Sequence, residues 1–396
     1  MTPSRILPRA LALAVLLAPA IASGPAFAQD YLDIEIFTAV DPPGSPEGIA
    51  VAPDGTVYVG TNRAVHDSNA YPSVLFAYDA AGQLIDQWTI QGQNQTSSGL
   101  LGLALDGDGA VYALDRDPPR VLRIHPSSGV QTTYATFHDV LPCSGGGSPG
   151  DCSAGTIDQG SNPNYPVFAA DGTLYVTDSA QALIWRVPPG GGEGEVWFTD
   201  AALEGIFGPN GIQFRADGTT LLFAMTGYQG PDTGFTTGRL YELPVLPNGD
   251  PGTMSLFWTS RPVDGPDGFS IAVSGNVYVA LAGTNQLVVI GPTGSELARV
   301  PATPAENAQL EVPMDMPAST GFLGNRLLMT NQSLFTGNSN SWVVYDIFAD
   351  EPGLPLFYPL PEPGVGAALA AGAALLVALG RRRRASRAFP SPMRSG

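Results

Sequence analysis

One phrase recurs six times along the chain, and it constrains the fold more than any other feature. Each copy has a polar or small residue, an alternating apolar stretch, an Asp-Gly or similar turn, and a β-rich run. Glu47-Gly48-Ile49-Ala50-Val51 leads to Asp54-Gly55 and Thr56-Val57-Tyr58-Val59. Leu101-Gly102-Leu103-Ala104-Leu105 leads to Asp108-Gly109 and Ala110-Val111-Tyr112-Ala113. Asn164-Tyr165-Pro166-Val167-Phe168 leads to Asp171-Gly172, Asn210-Gly211-Ile212-Gln213-Phe214 to Asp217-Gly218, and Asp267-Gly268-Phe269-Ser270-Ile271 to Ser274-Gly275. A weaker sixth copy runs from Met316 to Gly324 and Leu327-Leu328-Met329. In every copy the turn glycine lies eight residues after the first residue named.

Asp-Gly between two β-rich runs marks a hairpin. Third and fourth runs follow, as in Leu183-Ile184-Trp185-Arg186-Val187 and Glu195-Val196-Trp197-Phe198 of the third copy. Four short antiparallel strands per unit, repeated every 46 to 63 residues, predict an all-β, six-bladed β-propeller. A parallel β-helix has much shorter repeats, and a sandwich has no reason to repeat a motif in fixed register. The 48 Gly and 37 Pro among 396 residues suit turn-rich β-structure and not a helical bundle. The early strand Leu32 to Phe37 is expected to close the ring by pairing near Trp342 to Phe348.

The propeller is expected over residues 31–361, with addressing signals at both ends. Residues 1–28 have the form of a secretory signal: Arg5 and Arg9, an apolar stretch from Ala10 to Ala22, and a small-x-small cleavage site at Ala26-Phe27-Ala28. In residues 362–396, Glu362-Pro363 completes a Pro-Glu-Pro that opens at Pro361. An uncharged run over Gly364–Gly380 follows, then four arginines, Arg381–Arg384. Such a run can cross a thin bilayer as a helix, with the arginines held on the cytoplasmic side. The order resembles the PEP-CTERM sorting signal of bacterial surface proteins, although here the chain runs on to Gly396. That resemblance implies an exosortase-type sorting enzyme as partner, a membrane contact before processing, and a periplasmic or surface location. Both cysteines, Cys143 and Cys152, fall in one Gly/Ser-rich loop, where an exported protein would join them as a disulfide.

The charge follows this division. The chain has 36 acidic residues against 18 basic ones, all arginine. Two arginines belong to the signal and six follow Pro363, which leaves ten against 36 acids over residues 30–362, a net −26. Phosphate binding needs a basic face, so nucleic acid is excluded as a partner. Such a domain draws cations and disfavours anions.

The first residue of each copy should stand at one mouth of the central channel. These are Glu47, Leu101, Asn164, Asn210, Asp267 and Met316. Asn, Asp and Glu also start strands merely as turn residues. Four oxygen-bearing side chains in one register favour a hard cation, and Ca²⁺ accepts carboxylate and carboxamide oxygens in flexible geometry. Zinc would ask for His or Cys, which the set lacks. His66, His125 and His138 read as loop or outer-strand residues.

Pro46-Glu47-Gly48, Pro209-Asn210-Gly211-Ile212 and Pro266-Asp267-Gly268 resemble the senescence-marker-protein/gluconolactonase/luciferin-regenerating-enzyme family. Paraoxonase and strictosidine-synthase propellers are more distantly similar. The resemblance implies one divalent ion, commonly Ca²⁺, held by Glu47, Asn164, Asn210 and Asp267. It also implies a small lactone or ester as substrate, with Asp267 as general base. The metal residues match; those that meet a sugar acid do not. Asn162 stands where one branch often has Arg, Tyr165 where it has Asp, and Leu101 where another branch has a channel His. Two main expectations result: an exported calcium-dependent hydrolase of lactones or esters, or a non-catalytic surface propeller with structural or no metal. A lyase-type or synthase-type propeller is a third, weaker one.

Overall fold

A computed structural model of the protein describes residues 29–140, 160–205, 207–228 and 237–359. Within them lie six sheets of antiparallel strands and almost no helix. The inner strands of blades 1 to 6 are Pro46–Val51, Leu100–Leu105, Pro163–Phe168, Phe207–Phe214, Pro266–Ile271 and Pro317–Leu323. Each packs against the next, and the sixth packs against the first, so the inner strands form a closed ring. The sixth blade is completed by the chain's beginning. Ile34–Ala39 pairs antiparallel with Val343–Phe348, with Ile34 opposite Ile347, which is the closure expected from the sequence.

All six hairpin glycines named above adopt positive φ, from +65° at Gly324 to +90° at Gly55. That is the conformation the tight turn demands and most side chains resist. Asp54 and Asp171 reinforce their turns by accepting the N–H of Thr56 and Thr173, each at 2.9 Å.

No single core exists. The buried apolar residues fall into six clusters, and each is shared by two neighbouring blades. Trp185, for example, is fully buried with Leu101 and Tyr112 of blade 2. A four-stranded sheet has two faces to cover, and a ring of sheets covers both with identical neighbours.

The six inner strands share one irregularity. In every blade the pairing with the second strand shifts after the first residue: between Pro46 and Ile49, Leu100 and Leu103, Pro163 and Pro166, Pro209 and Ile212, Pro266 and Phe269, and Pro317 and Thr320. Two residues per blade leave the ladder, as a β-bulge re-aims side chains. They are Glu47-Gly48, Leu101-Gly102, Asn164-Tyr165, Asn210-Gly211, Asp267-Gly268 and Ala318-Ser319. The sixth ring position is therefore Ala318, and the sequence count that placed Met316 there is corrected. Leu323 pairs with Arg326, so the sixth hairpin is tighter than the others and counting back from its glycine overshoots by two residues. Met316 instead donates its N–H to Asn285 Oδ1 at 2.8 Å.

The opposite end of the channel is crossed by the end of the described chain. Val273 N–H donates to Pro352 O at 3.0 Å and Leu354 N–H to Ile271 O at 2.7 Å, on blade 5. Phe357 packs on Phe214 of blade 4, and Gly107 N–H of blade 2 donates to Pro359 O at 2.9 Å. This strap floors a cavity of about 350 Å³ walled by Ile49, Leu103, Val167, Ile212 and Phe269.

The signal at 1–28, Cys143 and Cys152, and the tail from residue 362 lie outside the described residues. Among those described, no helix is long and apolar enough to cross a membrane.

Candidate metal centre

The bulges bring Glu47, Asn164, Asn210 and Asp267 to one level of the channel, on blades 1, 3, 4 and 5. All four are buried, at 5 to 8% exposure. Their approach depends on the residue that follows. A Cβ on Gly48 would lie 2.0 Å from the Leu101 carbonyl oxygen, and one on Gly211 would lie 2.8 Å from that of Asp267. Blades 3 and 6, opposite each other, carry Tyr165 and Ser319 instead. There the second strand supplies a threonine. Thr177 accepts the Tyr165 N–H at 3.0 Å and donates to Asn210 O at 2.7 Å. Thr330 accepts the Ser319 N–H at 3.0 Å and donates to Glu47 O at 2.7 Å.

A second set of side chains orients the first. Asn62 donates to Glu47 Oε2 at 2.6 Å, Asn164 to Ser179 Oγ at 2.7 Å, and Asn210 to Thr226 Oγ1 at 3.1 Å. With their N–H groups engaged, both ring carboxamides keep their oxygens for the channel. Asn164 Oδ1, Asn210 Oδ1 and Asp267 Oδ1 are buried and have no hydrogen-bond partner. Buried polar atoms without partners are rare in folded proteins, and three facing one axis require a common explanation.

The charges agree. Burial pushes the Glu47 carboxyl up to about 7, against the opposing pull of the Arg116 charge and the Asn62 bond. Asp267 is raised well above the ordinary carboxylate range, first by burial and then by the charge of Glu47. Two carboxylates in one dry channel cannot both ionise without a cation or a proton between them. Oxygen donors, two of them ionisable, fit a hard divalent ion of the Ca²⁺ type. Among the described residues no group of three or more His, Cys, Asp or Glu gathers as a metal site, so the set depends on its two carboxamides.

Tyr165 forms the floor. Its ring borders the lower cavity, and its phenol stands beside Ser319, Asp267 and Glu47. Burial raises that phenol, and the two carboxylates raise it further. The histidines stay apart: His66 is exposed, and His138 Nδ1 pairs at 3.1 Å with Glu193 at the rim.

The sequence reading found the four ring residues and missed those that orient them. The signal was a fixed spacing. Asn62 and Ser179 each lie 15 residues after the ring residue they serve, and Thr226 lies 16 after, because its hairpin is longer.

Fold and site define a six-bladed propeller with an oxygen-lined channel mouth. Residues 193–327 match the family described as SMP-30/Gluconolactonase/LRE-like region. That stretch runs from the end of blade 3 into blade 6 and includes Asn210 and Asp267. No curated relative matches the sequence. Among solved structures the chain is similar to a calcium-binding protein, regucalcin, from Agrobacterium tumefaciens, with 20% identity over 83% of this chain and 99% of that one and a TM-score of 0.55. A gluconolactonase from Xanthomonas campestris gives 16% identity over 81% of this chain and 88% of that one, TM-score 0.51. A luciferin-regenerating enzyme gives 13% identity over 83% and 99%, TM-score 0.52. At these identities the likeness establishes the fold.

Proposed function

We propose that the protein is an exported, calcium-dependent hydrolase of small lactones or esters, working at the channel mouth formed by the six bulges. The observation that carries this reading is the set of unpartnered buried oxygens on Asn164, Asn210 and Asp267 beside the Glu47 carboxylate. The similarity of residues 193–327 to a gluconolactonase-containing family supports it.

Glu47, Asn164, Asn210 and Asp267 would hold the ion. When bound, Ca²⁺ supplies the positive charge that polarises an ester carbonyl and offsets the charge developing on its oxygen. The chain's own residues do the remainder. Asn62, Ser179 and Thr226 fix the ring side chains and prevent their collapse onto each other. Tyr165 closes the channel below, so water and substrate arrive from one side. Asp267 accepts the proton of the attacking water at a carboxylate oxygen. Burial and Glu47 raise its basicity while the ion lowers it, which returns it toward the range a general base needs.

One observation favours a second reading, a non-catalytic propeller with a structural ion. Asn162 replaces a substrate-contacting arginine, and its N–H is already given to Asp178 Oδ1 at 3.0 Å. A single experiment separates the two. Hydrolysis of a panel of lactones and aryl esters is followed with Ca²⁺, with chelator, and in Asp267→Asn. Ca²⁺-dependent turnover lost in the variant supports the hydrolase. Tight Ca²⁺ binding without turnover anywhere in the panel supports the binding module.

Residues 1–28 and 362–396 are the basis for export and C-terminal sorting. Cell fractionation of the intact chain beside one ending at Leu360 tests this; equal retention of both at the cell surface would remove the sorting role.

A further inference from the structure

Each blade contributes two residues to the mouth: the bulge residue, and the residue just after the strand partner of the position before the bulge. The second set is Asn62, Arg116, Ser179, Thr226, Ala282 and Gln332. In blades 1, 3 and 4 the two residues form a hydrogen-bonded pair. Blade 5 sets Ala282 beside Asp267, and blades 2 and 6 depart further. Their ring residues, Leu101 and Ala318, offer nothing to hold, and above them stand the long polar side chains of Arg116 and Gln332. Blades 6, 1 and 2 are neighbours, so Gln332, Asn62 and Arg116 form one continuous arc above Glu47.

All three members are chemically incomplete. Gln332 Oε1 and Asn62 Oδ1 are buried without partners. Ten arginines lie in residues 29–359, and nine have partners. Arg120, Arg123, Arg186, Arg215, Arg261, Arg299 and Arg326 pair with carboxylates. Arg63 donates to backbone carbonyls and Arg239 to Tyr241. The Arg116 side chain alone makes no hydrogen bond or close ion pair among the described residues; it is partly exposed and feels the Glu47 charge. Its backbone N–H bonds Gly99 O at 3.0 Å. A Cβ built on Gly99 would lie 3.5 Å from the guanidinium carbon and 2.5 Å from Asn62 Oδ1, which places the two side chains together. A guanidinium partly withdrawn from water, with the Glu47 charge nearby but no hydrogen bond to it, still has its N–H groups to give, and an incoming anion would take them.

We propose that Arg116 is the seat for a carboxylate on the substrate, with Asn62 Oδ1 and Gln332 Oε1 accepting a hydroxyl or N–H beside it. The substrate class is then a carboxylate-bearing ester or lactone. This rests on the hydrolase reading and deepens it. The charge count agrees: a divalent ion with Glu47 and Asp267 is neutral, Arg116 adds one positive charge, and a monoanion restores balance. Exterior carboxylates farther from the seat than a Debye length of about 8 Å are largely screened there. The planar guanidinium fork suits carboxylate geometry.

The test compares two esters of matched length, 4-nitrophenyl butyrate and mono-4-nitrophenyl succinate, on the Ca²⁺-loaded protein above buffer background. The wild type is expected to prefer the succinate ester through KM. Arg116→Gln should lose roughly 10- to 100-fold in kcat/KM on the succinate ester, with the butyrate ester little changed, and Arg116→Lys should recover part of the loss. Calorimetric Ca²⁺ affinity should hold or tighten in Arg116→Gln, because a positive charge leaves the vicinity of Glu47. Equal losses on both esters, or weakened Ca²⁺ binding, would show that Arg116 only supports the ring and would overturn the proposal. If neither ester is hydrolysed, the hydrolase reading fails on its own, and binding of monomethyl succinate decides the seat. Binding lost in Arg116→Gln sustains it; a wild type that does not bind overturns it.

Discussion

The two ends of the channel are lined by the same six strands and have opposite chemistry. At the mouth the bulges put two residues per blade out of register, and the Asn164, Asn210 and Asp267 side chains left there carry buried oxygens without partners. Below Tyr165 the strands return to regular pairing. The walls there are apolar, and the polar side chains satisfy each other, as when Ser270 Oγ donates to Thr320 O at 3.0 Å and accepts from Thr320 Oγ1 at 3.0 Å. One end presents unpartnered oxygens, and the other holds an apolar cavity floored by the protein's own strap. Unpartnered buried oxygens therefore set the mouth apart from the lower half better than depth of burial does.

The contrast can be broken at four points. The largest effect is expected from Asp267→Ala, which should weaken Ca²⁺ binding more than 100-fold by calorimetry, on the order of 3 kcal/mol. The chelated protein should melt no lower than wild type, because a buried carboxyl with a raised pKa has been removed. A large drop in that melting point would assign Asp267 a structural role. The mirror-image experiment is Phe214→Ala in the lower half. Phe214 is 4% exposed and stacks on Tyr175 and Phe357. Its truncation should cost about 3–5 kcal/mol in denaturant unfolding, with Ca²⁺ affinity in the folded protein unchanged within about twofold.

The third point is pH. Glu47 titrates near 7 in the fold against an ordinary 4.5, so its contribution to stability is fully present below about 4.5 and is lost as pH rises through about 7. In chelator, melting temperature should fall across that interval. With Ca²⁺ the fall should disappear, because ionised carboxylates are what the ion binds. Glu47→Gln should flatten the chelated profile, and an unchanged slope would assign it to other groups. The smallest effect is expected from Ser179→Ala, which frees the Asn164 amide to rotate: a loss of roughly 1 kcal/mol in Ca²⁺ binding, read by the same calorimetry.

The sequence exposed the fold because each blade repeats a hairpin whose glycine must take positive φ, and spacing alone then aligns the ring. The alignment failed only in blade 6, where a tighter hairpin moved the true position from Met316 to Ala318. The orienting shell was harder to see. Asn62, Ser179 and Thr226 sit at strand ends, where polar residues are ordinary, and only pairing register separates them from turn residues. Arg116 was hidden for a different reason: nothing in its own neighbourhood shows that it lacks a partner, since that follows only from where the other nine propeller arginines go.

The strap from Pro352 to Pro359 has a geometric consequence. It ends against blade 2, on the face of the propeller opposite the bulges. The described chain therefore leaves the propeller on the side away from the oxygen-lined mouth.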